Sequence, residues 1–301
     1  MAAARAAAGD EHYPLLARLC GQAAPSLAAT LTEPASPAPT EIARGDPGMP
    51  EWYAEPVRVF DDLVWVGQTR YSAWAVTTSE GIVVIDPLFD YSVEAAIEGG
   101  LREVGLDPAD IRYVIVSHGH LDHVGGARRL QEAYGARVVM HPADWDLVER
   151  TDADWPKPVR DIEAMDGYRL TIGGKTLVTY HTPGHTAGTL STVFPVTDRG
   201  EEHVAVLWGG TAFNFMGGDD DAARFEEYAA SAERLREIAR EAGADVLLSN
   251  HPQYDGSTTK LPALAARGPA DPHPYVVGLE SIERFLTVAA RCAEAGLIGA
   301  Q

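Results

Sequence analysis

From Val57 onwards, short apolar runs alternate with turn residues, and this rhythm sets the plan of the chain. Val57–Phe60 and Leu63–Val66 flank Asp61-Asp62, the pattern of a hairpin. Ser72–Thr78 and Gly81–Asp86 read as a second strand pair, and Tyr91–Val104 carries apolar residues at helical spacing. The Val/Ile-rich run Ile111–Val116 is expected to be a buried strand. A helix over Ala127–Tyr134 is stopped by Gly135, and a short strand follows at Arg137–Met140. Residues 150–165, with scattered charges and two prolines, are expected to form a mobile loop. Tyr168–Ile172 and Lys175–Tyr180 form a hairpin around Gly173-Gly174. Val204–Trp208 and Asp245–Ser249 read as strands. Between them, Phe225–Ala242 is an amphipathic helix with Phe225, Tyr228, Ala232, Leu235 and Ala239 on one stripe. A last helix runs from about Val277 to Ala295.

The two halves, roughly 57–165 and 166–295, each run hairpins, then helix, then strand. That order predicts two β-rich layers with helices outside them. Residues 1–50 stand apart, with a helix expected around His12–Leu27 and a Pro/Ala-rich surface arm over Pro34–Pro50. Residues 51–301 make the main domain.

Composition narrows the function. The formal charge of −20 sets most of the surface against a nucleic-acid backbone. No stretch approaches the roughly 20 apolar residues of a membrane helix. The start, Met1-Ala2-Ala3-Ala4-Arg5, lacks the apolar core of a signal peptide, which fits a cytoplasmic protein or a mature form whose leader is gone. Cys20 and Cys292, one near each end, are either one disulfide or two buried thiols.

The chemistry concentrates in Ser117-His118-Gly119-His120-Leu121-Asp122-His123, directly after a predicted strand. Imidazole and carboxylate together favour zinc or another first-row divalent ion. Histidines also follow two other strands: His181 and His185, then His251. Two adjacent ions need about six protein ligands, and His118, His120, Asp122, His123, His185 and His251 supply that set. The alternation His-x-His-x-Asp-His lets neighbouring side chains address different ions. His12, His203 and His273 are expected on the surface, and His141 as a helix cap.

Over about residues 57–295, the chain resembles the metallo-β-lactamase-fold superfamily. The His118–His123 motif, Thr182-Pro183-Gly184-His185-Thr186, His251 after a strand, and Ile85-Asp86 carry the resemblance. It implies an αββα sandwich, a four-layer α/β fold, with a di-zinc site at one edge. By motif position, His118, His120 and His185 would hold one Zn2+, and Asp122, His123 and His251 the other. Most members place an Asp or Cys where this chain has Thr211 after Trp208-Gly209-Gly210. The B3 subclass of metallo-β-lactamases also lacks that ligand, and the sequence looks most like it.

The resemblance implies hydrolysis of a small molecule by metal-activated water, with Asp122 orienting the nucleophile and accepting its proton. Ser117, Asp86 and Thr186 are candidates for bracing the ligands through hydrogen bonds. Asn214 and Thr211 are candidates for touching substrate. A β-lactam is the first substrate reading. A clamp for its carboxylate is not obvious near Asp219-Asp220-Asp221, so a lactone, ester, thioester or aryl halide stands beside it. A non-catalytic zinc-binding protein is the reading of a different class, opposed by the open position at Thr211, since structural zinc sites are closed.

Overall fold

The computed structural model describes residues 1–23 and 51–300. One sheet takes β1 (Val57–Phe60), β2 (Leu63–Trp65), β3 (Trp74–Thr78), β4 (Gly81–Ile85), β5 (Ile111–Ile115), β6 (Arg137–Met140) and β7 (Ile162–Glu163) in that order. Its first four strands are antiparallel and β4 to β7 are parallel. After β8 (Tyr168–Ile172), β9 (Lys175–His181), β10 (Leu190–Asp198), β11 (Glu201–Trp208) and β12 (Val246–Ser249), the second sheet has the order β12-β11-β10-β9-β8. Only its β11–β12 pair is parallel.

Successive strand residues face opposite ways, and β4 shows why its sequence is apolar throughout. Val83 and Ile85 enter the core between the sheets with Ile115, Val139, Phe194, Leu207 and Leu248. Ile82 and Val84 pack outward with Ile97, Leu101 and Leu130. Each such side chain contributes roughly 1.5–3 kcal/mol by leaving water.

The helices are α1 (Ala2–Ala8), α2 (Tyr13–Ala23), α3 (Gly100–Glu103), α4 (Leu121–Val124), α5 (Ala127–Tyr134), α6 (Pro142–Arg150), α7 (Asp221–Ala242), α8 (Pro252–Asp255), α9 (Ser257–Ala265) and α10 (Leu279–Ala300). Leu101, Leu130 and Trp145, from α3, α5 and α6, cover the first sheet. Leu15, Leu19, Tyr228, Leu235, Phe285 and Leu286, from α2, α7 and α10, cover the second. The stack is the expected αββα sandwich. Among the described residues, no helix is long and apolar enough to cross a membrane.

Several elements depart from the sequence expectations. The N-terminal segment forms two helices, broken after Gly9, which takes φ 52° at the end of α1. Arg284 of α10 donates to the carbonyls of Ala7 (2.9 Å) and Ala8 (2.8 Å), capping that end. The predicted continuation to Leu27 and the arm at 34–50 lie outside the described residues. The strand β10 was hidden by Pro195, a poor central-strand residue. It is tolerated because β9 pairs only with Leu190–Val193, so Pro195 lies beyond that ladder. Residues 150–165 are not a free loop: Ile162–Glu163 pairs with β6, Arg137 grips Asp161 at 2.6–2.9 Å, and Trp145 Nε1 donates to the Ile162 carbonyl (3.2 Å). The three histidines expected on the surface are packed. His12 donates to the Ser281 carbonyl (2.9 Å), His203 pairs with Asp245 (2.7 Å), and His273 stacks on Phe60 at 4.1 Å.

Cys20 and Cys292 form a disulfide that ties α2 to α10 across 272 residues. In the chain-entropy view such a bridge contributes up to about 5 kcal/mol. A Cys20→Ser/Cys292→Ser double variant is therefore expected to melt about 10 °C lower; calorimetry giving the wild-type midpoint would contradict this.

Burial holds the His12 pKa below its ordinary value, with Glu11 pulling the other way and Arg284 and Lys260 reinforcing burial. The unfolded chain then binds a proton that the folded chain does not. This contribution is full above the unfolded pKa of about 6.5 and fades as pH falls through the lowered one. Between pH 7 and pH 5, wild-type melting temperature is expected to drop more steeply than that of His12→Gln. Parallel pH curves would remove His12 from the account.

Candidate metal centre

The parallel register of β4, β5 and β6 brings their carboxyl ends to one edge of the sandwich, where loops carry side chains over a rigid sheet. Asp86 follows β4, Ser117–His123 follows β5, and His251 follows β12. Ser117 donates to Asp86 through both its amide (2.7 Å) and its hydroxyl (2.7 Å), so the His118 loop starts from a fixed point. His120 is the extended N-cap of α4, and one helical turn then presents Asp122 and His123. In the second sheet, β9 delivers the loop with His185.

Two groups of ligand atoms converge. His185 Nε2 lies 3.1 Å from His118 Nε2 and 3.1 Å from His120 Nδ1. Around a tetrahedral ion with bonds of roughly 2.0–2.1 Å, donor atoms stand about 3.3 Å apart, so this trio fits. His123 Nε2 lies 3.0 Å from Asp122 Oδ2 and 3.2 Å from His251 Nε2, with His251 Nε2 to Asp122 Oδ2 at 3.8 Å. The groups adjoin, since the His118 and His123 rings are 4.2 Å apart and His118, Asp122 and His123 also offer atoms within 4.8 Å of one another.

The outward nitrogens explain why the inward ones are available. Nδ1 of His118 donates to the Gly209 carbonyl (2.8 Å), that of His185 to Ala212 (2.6 Å), and that of His251 to Arg70 (3.0 Å). His123 Nδ1 bonds Asp86 Oδ2 at 2.9 Å. Each bond fixes its ring; in His118, His185 and His251 it leaves an Nε2 lone pair aimed into the cluster, and His123 Nε2 points the same way, the arrangement that metal-ligating imidazoles favour.

Charge follows from burial. Desolvation holds His118 and His185 well below the ordinary histidine range, with neighbouring imidazoles adding to it, and His120 is lowered for the same first reason. Burial and His123 push His251 down to about 4. Burial would raise Asp122, but His123, His251 and His120 outweigh it and hold the carboxyl well below its usual range. His123 is lowered by burial yet raised more by Asp122 and Asp86, reaching about 10. A spot between two carboxylates that favours a proton so strongly also suits a divalent cation. The donor set fits zinc.

Of the other residues singled out from the sequence, Thr186 braces no imidazole; its hydroxyl goes to Asp144 (2.7 Å) and Thr189 (2.8 Å). Thr211 is buried and its hydroxyl pairs with Ser249 (3.1 Å), so it joins two strand ends instead of lining an opening. Asn214 is exposed on the loop whose Ala212 carbonyl holds His185. His181 stacks on His141 at 4.1 Å, outside both ligand groups, while His141 caps α6 through the Ala143 amide (3.2 Å).

Sequence reasoning missed three supports. Asp144 accepts from the Gly119 amide (2.7 Å), the Thr186 hydroxyl and the Gly188 amide (2.9 Å), tying the His118 and His185 loops together. Asp255 accepts from the Ser249 (2.8 Å) and Ser257 (2.9 Å) amides on either side of His251. Arg224, in the first turn of α7, donates to the His185 carbonyl (3.0 Å) and lies over Phe215 at 4.8 Å. For Asp144 a signal existed: with Trp145 and Val148 it falls on the buried stripe of α6, where an acid has no place without partners.

A model of the metallo-beta-lactamase superfamily matches residues 66–198. The chain is 37% identical over 137 residues to hydroxyacylglutathione hydrolase of Pseudomonas aeruginosa, covering 45% of this chain and 43% of that one. It is 27% identical over 185 residues to N-acyl homoserine lactonase AttM of Azorhizobium caulinodans, covering 54% and 66%. In structure it resembles BJP-1, a subclass B3 metallo-beta-lactamase of Bradyrhizobium japonicum, with TM-score 0.70, 25% identity, and coverage of 82% and 94%. The chain spans about half the length of the curated relatives it matches.

Proposed function

We propose, from the premise that this chain belongs to the metallo-β-lactamase superfamily, that it is a zinc-dependent hydrolase of small molecules, and specifically a B3-like β-lactamase. One observation carries the reading: six ligand atoms from three distant loops form two adjoining groups, four of the five imidazoles having their other nitrogen fixed. His118, His120 and His185 would hold one ion, and Asp122, His123 and His251 the other. Zinc supplies a Lewis acid and lowers the pKa of water from roughly 15.7 to about 7.

The chain's own groups account for the rest. Asp122, held as a carboxylate, accepts a hydrogen bond from the attacking water and sets its direction. Arg224 supplies the cation that was not evident in the sequence; its charge reaches His120 and its guanidinium sits beside His185. An anionic substrate is thereby favoured, as in the carboxylate of a β-lactam. The similarity to a hydroxyacylglutathione hydrolase and to an N-acyl homoserine lactonase supports a second reading, an acyl thioester or lactone on the same ions.

Metal analysis beside a panel of nitrocefin, lactones, thioesters and aryl halides tests this. About two zinc equivalents with nitrocefin opening are expected. Rapid thioester or lactone turnover with inert nitrocefin transfers the assignment to that class, and bound zinc without any turnover leaves a zinc-binding protein.

A further inference from the structure

We propose that Tyr71, Phe89 and Tyr91 form a shelf beside His251 that binds an uncharged aryl group of the substrate. This rests on the hydrolase reading and names the substrate class for that site. The rings run outward from the metal-ligating imidazole in sequence: His251 to Tyr71 at 5.4 Å, Tyr71 to Phe89 at 4.9 Å, and Phe89 to Tyr91 at 4.9 Å. Trp52 closes the far end, edge-on to Tyr91 at 5.8 Å. Phe89 and Tyr91 are nearly parallel, at 24°, and Tyr91 is 59% exposed although it is a large apolar side chain. A planar ring in the substrate would extend that stack, the geometry aromatic pairs prefer.

The shelf is built, not draped. The segment from Asp86 to Tyr91 holds two non-glycine residues in the left-handed region, Asp86 at φ 60° and Leu88 at φ 59°. Such backbone persists only where its surroundings over-determine it, and it clusters at working sites. Here Leu88 is fully buried and its carbonyl accepts from the Gly126 amide at 3.0 Å. A Cβ on Gly126 would stand 2.2 Å from the Pro87 carbonyl oxygen and one on Gly125 2.9 Å from the Phe89 Cα, so the turn that follows α4 presses its backbone directly against the segment carrying the shelf. The same segment thus begins at the carboxylate that fixes His123 and ends at the exposed ring.

The rings themselves decide what the shelf takes. Asp90 and Asp122 act on Tyr91 and Arg70 acts on Tyr71, so charges of both signs surround the shelf and none selects an ionised group there. The aromatic faces are left to a neutral ring, while Arg224 offers a cation on the His185 side.

The test uses substrate pairs identical except for a phenylacetyl or an acetyl group, one pair of penicillins and one of esters. The wild-type kcat/KM ratio is expected to favour phenylacetyl by about tenfold or more. Tyr91→Ala, at an exposed position, and Phe89→Leu are each expected to cut that ratio several-fold with zinc content unchanged. A ratio near unity, or one that neither variant alters, overturns the shelf while hydrolysis itself still stands. Saturation-transfer NMR with phenylacetamide and acetamide reads the shelf without turnover. Binding of phenylacetamide alone, lost in Tyr91→Ala, upholds it even if no substrate is hydrolysed, and equal signals from both amides overturn it.

Discussion

His120→Ala is expected to reduce turnover by on the order of 10³-fold and bound zinc from about two equivalents to about one, with the fold preserved. His120 Nδ1 completes the trio with His118 and His185. Two imidazoles hold zinc far less well than three. The fold should survive because His120 is only half-buried and caps α4 through its backbone conformation, without a side-chain capping bond. Metal content by mass spectrometry, steady-state rates and circular dichroism check the three parts separately. His181→Ala serves as the comparison, since His181 bonds the Ala187 carbonyl (2.9 Å) outside both groups. Equal losses in the two variants, or none in the first, would refute the ligand assignment.

How much of this could be read from the chain depends on whether its cause is local. The His118–His123 cluster was legible because six consecutive residues hold four ligands, and spacing on one loop needs no knowledge of the fold. The apolar runs of β4 and β12 were legible because strands buried on both faces are apolar almost throughout. The strand β10 was not, because Pro195 contradicts strand propensity and only the partial pairing of β9 explains it. The packed state of His12, His203 and His273 was equally hidden, each being satisfied by a partner at least 42 residues away. Asp144 and Arg224 were hidden for a similar reason, their partners in the His118 and His185 loops lying 25 to 44 residues away. Asp255 bonds the nearby Ser249 and Ser257 amides, and a backbone amide leaves no mark in a sequence.

Asp144→Ala is expected to destabilise the protein by about 3–5 kcal/mol and to weaken zinc binding roughly 10–100-fold. The carboxylate is fully buried and takes three donors, the Gly119 amide, the Thr186 hydroxyl and the Gly188 amide. Burial raises its pKa, while those three donors stabilise the charged form and oppose the rise. Truncation leaves the donors without an acceptor in a place water does not reach. The fit is close, because a Cβ on Gly188 would lie 2.6 Å from Asp144 Oδ1, and no longer acid can be substituted. Asp144→Asn keeps the volume but turns an amino group towards N–H donors, so it should fall between Ala and wild type. Lost stability alone could lower zinc affinity indirectly, and Leu15→Ala separates the two effects. Leu15, on α2, belongs to neither of the loops that Asp144 ties together and is buried in the core with α10, so its truncation is expected to cost about 2–5 kcal/mol. Zinc affinity measured by chelator competition below both melting points should then be near wild type for Leu15→Ala and weakened for Asp144→Ala. Matching affinities in the two variants would mean that Asp144 supports the fold and does not position the ligand loops.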